Sequence, residues 1–110
     1  MEINWPENVP QSEINMRFVQ GMANALATSF FKYGKMRDKP GNIFDHKANI
    51  RKRLQKYEES GNTEWLIDVA NFAMIEFTNP SHPDAHFEGT DSDASPGLKY
   101  VGGKWVQKPD

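Results

Sequence analysis

The stretch Thr63-Glu64-Trp65-Leu66-Ile67-Asp68-Val69-Ala70-Asn71-Phe72-Ala73-Met74-Ile75-Glu76-Phe77 decides the fold. It is apolar on nearly every side, long enough for four turns, and free of Gly and Pro. A helix of that kind is buried, in its own domain or at a subunit contact. Thr63 is the expected N-cap, and Glu64 in the first turn suits the helix dipole. Asn79-Pro80 ends the element, because the residue before a proline avoids the helical region.

Two further helices are expected upstream. From Ser12, an expected N-cap, to Tyr33, the residues Ile14, Phe18, Met22, Ala25, Phe30 and Tyr33 recur near a 3.6-residue period, and Gly34 supplies the stop. From Asn42 to Ser60, the residues Ile43, Ile50, Leu54 and Tyr57 share one face, and Gly61 ends the helix. The prediction is an all-α, three-helix core over residues 1–78, with helices at 12–33, 42–60 and 63–77. Residues 79–110 read as an irregular tail rich in Pro, Asp, Ser and Gly, with a short β-hairpin over 98–107 around Gly102-Gly103. Such a hairpin is marginal alone and needs a surface, with Tyr100 and Trp105 as its anchors. At 37% hydrophobic residues the core is small. Three helices cannot cover the last one fully, so a homo-oligomer is expected.

Composition excludes several classes. Without cysteine there is no disulfide, thiolate metal site or cysteine nucleophile. No apolar run approaches the roughly 20 residues of a membrane span. The start, Met1-Glu2-Ile3-Asn4-Trp5-Pro6, lacks the pattern of a signal peptide, so a soluble, cytoplasmic protein without membrane partners is expected. A net charge of −2 does not suggest a general nucleic-acid binder.

That small net charge hides an asymmetry. Lys32 to Lys56 contains nine Lys and Arg against two Asp, a local balance of +7; Tyr57 to Leu98 contains nine Asp and Glu and no Lys or Arg. In one reading the acidic tail lies over the basic helix, in the same or a neighbouring protomer. In the other, the basic segment is a phosphate site. Lys35, Arg37 and Lys39 precede a helix start, where free N–H groups and the dipole favour an anion, and Lys47, Arg51 and Arg53 add charge-assisted bonds. Tyr33, Phe44 or Trp65 would stack a base.

Glu64, Asp68 and Asn71 lie four and three residues apart, on one face of the apolar helix. Buried carboxylates need a partner. One reading supplies it from Arg17, His46, Arg51 or Arg53. The other makes these three residues a Mg²⁺ site, with the basic cluster holding substrate phosphates. His82 and His86 have a spacing that suits zinc, but no further ligand is near in sequence. His46, beside an apolar stripe, reads as a packed, hydrogen-bonded residue.

Ser29-Phe30-Phe31-Lys32-Tyr33-Gly34, the helix ending Tyr57-Glu58-Glu59-Ser60-Gly61-Asn62, and Glu64 to Met74 resemble small helical proteins of phage and prophage genomes. The chain is similar, over about residues 14–77, to the dATP/dGTP diphosphohydrolase-like group and more distantly to the all-α (MazG-type) nucleotide pyrophosphohydrolases. The resemblance implies a helical dimer or tetramer. It also implies Mg²⁺-dependent cleavage of nucleoside triphosphates to monophosphate and pyrophosphate, with Glu64 and Asp68 in place of the second pair of acids. The family pattern is Glu-x-x-Glu followed by Glu-x-x-Asp. This chain has Glu64-x-x-x-Asp68 and a basic preceding helix, which favours nucleotide binding over turnover. Three functions follow: a binder or sequestering protein for a nucleotide or nucleotide signal; a Mg²⁺-dependent pyrophosphohydrolase; or an interaction protein acting on a host complex.

Overall fold

The computed structural model describes residues 7–35, 45–90 and 97–107. The architecture is mostly helical: α1 spans Met16–Tyr33, α2 His46–Ser60 and α3 Glu64–Thr78. Two four-residue strands, β1 (Leu98–Val101) and β2 (Lys104–Gln107), pair antiparallel, with Leu98 opposite Gln107 and Val101 opposite Lys104.

Two helix starts differ from the sequence reading, each for a capping reason, while α3 starts after Thr63 as expected. α1 begins at Met16, because Ser12 lies in a 3-10 turn over Gln11–Glu13 and Asn15 takes the cap. The Asn15 side-chain oxygen accepts the N–H groups of Arg17 and Phe18 at 3.0 and 3.2 Å. α2 begins at His46, where extended Asp45 breaks the path and accepts the Ala48 N–H at 3.0 Å. The earlier start expected at Asn42 lies outside the described residues, as do Ile43 and Phe44. At α3, Thr63 makes no side-chain capping bond. Asn62 does that work instead, its Oδ1 accepting the Glu64 N–H at 3.0 Å. Gly61 ends α2 at φ 72°, ψ 4°, the left-handed cap conformation that glycine enters without steric cost.

α3 packs on both other helices, and α1 and α2 barely meet. Paired residues give the directions. Gly21 faces Ile67, the Asn71 amide reaches the Met22 carbonyl, and Leu26 and Phe30 share a groove with Ile75 and Thr78, so α1 runs parallel to α3. Arg53 meets Asp68 and His46 meets Phe72, so α2 runs antiparallel to α3. The start of α2 therefore lies at the same end of the fold as the finish of α1 and of α3.

This layered arrangement leaves little interior. Among the described residues, Ile75 at 7% exposure is the buried apolar side chain, and Asn71 at 6% is the buried polar one. α3 is half-buried from Trp65 to Ala70, but Ala73, Met74 and Phe77 are exposed in the single chain. The apolar stripe of α1 also stops short of its end, since Phe30 and Tyr33 are exposed. Leu54, expected inside, is exposed too, and Arg53 occupies the inward position next to it.

Candidate functional site

The cations of α2 divide into two sets. Lys47, Arg51, Lys52 and Lys56 are exposed on the outer surface. Arg53 is half-buried: its guanidinium carbon lies 4.5 Å from the Phe72 ring centroid, its Nη1 donates to Asn49 Oδ1 at 2.6 Å, and its Nε stands 3.5 Å from Asp68 Oδ2. Arg53 thus belongs to the packing of α2 on α3, while the other four are open to a partner. Arg37 and Lys39 lie outside the described residues. Lys35 is exposed just beyond α1, and Tyr33 in the last turn of α1 is also exposed.

The charges of α2 run against its own dipole. It has no acid in the first turn and no base in the last. Lys47 follows the start, Arg51 and Lys52 continue into the second turn, and Glu58 and Glu59 close the helix. Cations near a helix start and anions near its finish each lose a few tenths of a kcal/mol. Asp45 is the balancing group. Its carboxyl is held below the ordinary carboxylate value chiefly by the Ala48 N–H, against the opposing effect of burial, with the nearby Lys47 and Arg51 helping.

Glu64 and Asp68 line one groove of about 330 Å³ with Gly21, Asn24, Ala25 and Thr28 of α1. Asn71 does not join them. Its amide nitrogen donates to the Met22 carbonyl at 3.2 Å, and its Oδ1 is buried without a hydrogen-bond partner. As a Mg²⁺ set, two carboxylates remain, one of them beside a guanidinium that competes with a cation for the same oxygen. Among the described residues no three His, Cys, Asp or Glu side chains are grouped around a common point.

The histidines have local roles. His46 packs against Phe72, with ring centroids 5.9 Å apart. Its Nδ1 is buried without a hydrogen-bond partner. His82 Nδ1 accepts the Asp84 N–H at 3.0 Å, and His86 Nδ1 lies 3.0 Å from the Asp84 carbonyl. Both rings therefore shape the turn that carries them.

Glu76 ties the tail to α3. Its carboxylate accepts the Ser81 N–H at 2.6 Å and the Ser81 hydroxyl at 3.0 Å. These bonds, the backbone one first, lower its pKa against the opposing effect of burial, and the nearby Lys47 and His46 add to the lowering. The fold thus sets one acid of the negative segment near the cationic start of α2.

Periodicity gave no sign of a second groove, about 500 Å³, between the ends of α1 and α3. It is lined by Leu26, Phe30, Met74, Ile75 and Thr78, with Lys35 at its rim.

No protein-family model, curated protein or solved structure matches this chain.

Proposed function

We propose that this protein is a small phosphate-recognising helical protein of the phage type, which binds or sequesters a nucleotide or a nucleotide signal as a homo-oligomer. The observation that carries the reading is the reversed charge order of α2. A helix that exposes Lys47, Arg51 and Lys52 at its positive end, and turns only Arg53 inward, departs from the local rule at a cost in stability. Departures of that kind mark functional sites. A phosphate group relieves the repulsion, accepts charge-assisted bonds from all three side chains and gains from the dipole. Lys35, Arg37 and Lys39 extend the same positive segment in sequence, and Lys35 borders an apolar groove on which a base can rest.

Calorimetry with nucleoside di- and triphosphates tests this. Arg51→Glu removes the binding, and raising the salt weakens it in the parent chain. Unchanged affinity in the variant rejects the site. A pyrophosphate-release assay with Mg²⁺, with Asp68→Asn as control, separates binding from the hydrolysis that Glu64 and Asp68 would support.

A second reading, an interaction protein that docks on a host complex, is favoured by exposed aromatics on the described surface. Phe31 and Phe77 are 84% and 75% exposed. It predicts no nucleotide effect on the melting temperature, where the first reading predicts a rise.

A further inference from the structure

A third groove, about 470 Å³, lies between the last turns of α3 and the segment 80–87 that follows. Its volume falls in the ~300–1,000 Å³ range of small-molecule sites. Glu76, Phe77, Pro80, His86 and Phe87 line it. We infer that this groove holds the guanine base of a nucleotide whose phosphates lie on the cations at the start of α2. The inference rests on the phosphate reading above and adds to it a base and a place for that base.

Position supports it. His46, the first residue of α2, packs on Phe72 with ring centroids 5.9 Å apart. Glu76 follows Phe72 by four residues, so it lies on the same side of α3, about 6 Å further along the axis. The groove therefore opens about one turn beyond the start of α2, and Lys47 and then Arg51 lead away from it along that helix. The Ser81 N–H lowers the Glu76 pKa most, and Lys47 and His46 stand near enough to add to the lowering. A nucleotide laid along this line sets its base in the groove and its phosphates on the cations. The groove beside Lys35 has walls from α1, α3 and the residues just past them, and it holds no carboxylate.

The lining has the chemistry of a base site. Phe77 and Phe87 are 75% and 86% exposed, and a base laid on their rings covers apolar surface that the chain leaves in water. Glu76 supplies the selectivity. An ionised carboxylate offers about four acceptor sites. Ser81 engages it through its N–H at 2.6 Å and its hydroxyl at 3.0 and 3.1 Å, which leaves acceptor capacity for two further donors. Guanine carries two adjacent N–H donors on its Watson–Crick edge. Adenine presents one donor beside an acceptor there, and the carboxylate repels that acceptor. A site built to pair with two donors discriminates strongly against a base that lacks one of them.

Calorimetry on the full chain with GTP, ITP, ATP and inorganic tripolyphosphate is the test. GTP binds on the order of tenfold tighter than tripolyphosphate, the gain of one stacked base. ITP, which lacks the 2-amino donor, and ATP both bind more weakly than GTP. Phe87→Ala removes most of the GTP advantage and leaves the tripolyphosphate affinity and the melting temperature as in the parent, because so exposed a ring takes little part in packing. Arg51→Glu lowers the affinity for all four. A chain that binds none of the four overturns the phosphate reading and this inference with it. Tripolyphosphate or ATP binding as tightly as GTP overturns the base site alone. A GTP preference that survives Phe87→Ala, or that Phe30→Ala removes in its place, overturns the assignment of the groove.

Discussion

Arg53 and Asp68 face each other across the α2–α3 interface, with Nε 3.5 Å from Oδ2. The contact answers the question raised by a carboxylate in the middle of an apolar helix. It also explains why Arg53 stands apart from the exposed cations of α2. Since the two side chains are 26% and 33% exposed, solvent screens the pair. The larger share of the arginine's contribution is the face of Phe72 beneath it. Arg53→Ala is expected to destabilise the fold by about 1–2 kcal/mol. A double-mutant cycle with Asp68→Asn should return a coupling below about 1 kcal/mol. Urea denaturation measures both, and a coupling well above that figure would show a pair shielded from water.

Asn71 is buried with one oxygen unpaired. Replacing it by an apolar residue of similar volume removes that orphan. Asn71→Leu should therefore be neutral or stabilise by up to about 1 kcal/mol. Asn71→Asp places an uncompensated charge near the Met22 carbonyl and should cost about 3 kcal/mol. Thermal melts that rank the two variants the other way would contradict the geometry.

Gly21 sets the distance between α1 and α3. A Cβ built there would stand 2.5 Å from Ile67 Cδ1, the movable end of a side chain. Gly21→Ala gains helix propensity of about 1 kcal/mol and loses a similar amount to the shift of Ile67, leaving stability nearly unchanged. Gly21→Leu cannot be absorbed and should destabilise by about 1–3 kcal/mol. Denaturant midpoints for the pair check the close approach directly.

The Glu76–Ser81 tie depends on pH. The carboxyl is lowered from an ordinary value of 4.5, so its contribution is complete above that value and is lost as pH falls through the lower, folded one. The protection of the Ser81 amide, measured against its intrinsic exchange rate at each pH, should fall in that acid window, and Glu76→Gln should show low protection already at neutral pH. Slow exchange at Ser81 in the variant would mean that the tail is held by something else.

The number of helices was legible because each has an apolar stripe of the right period and a glycine or proline stop. Their starts were less so. Ser12, Asn15, Asp45, Asn62 and Thr63 are all capping types, and only the backbone path decides which of them turns its oxygen onto the free N–H groups. The cations of 32–56 were equally visible as a group. Their division was hidden, because Arg53 enters the packing through Phe72 and Asp68, residues 15 or more positions away. The groove at the finish of α1 and α3 had no local signal, since it arises between two helices separated by a third.

The sequence by itself determined three helices, their stops, the absence of cysteine chemistry and the split of charge along the chain, because these depend on neighbours within a few residues. The tertiary structure decided that α1 runs parallel to α3, that Asp68 meets a guanidinium, and that Phe30 and Phe77 remain exposed. Those outcomes depend on which faces meet, and a face is chosen by all the packing surfaces at once.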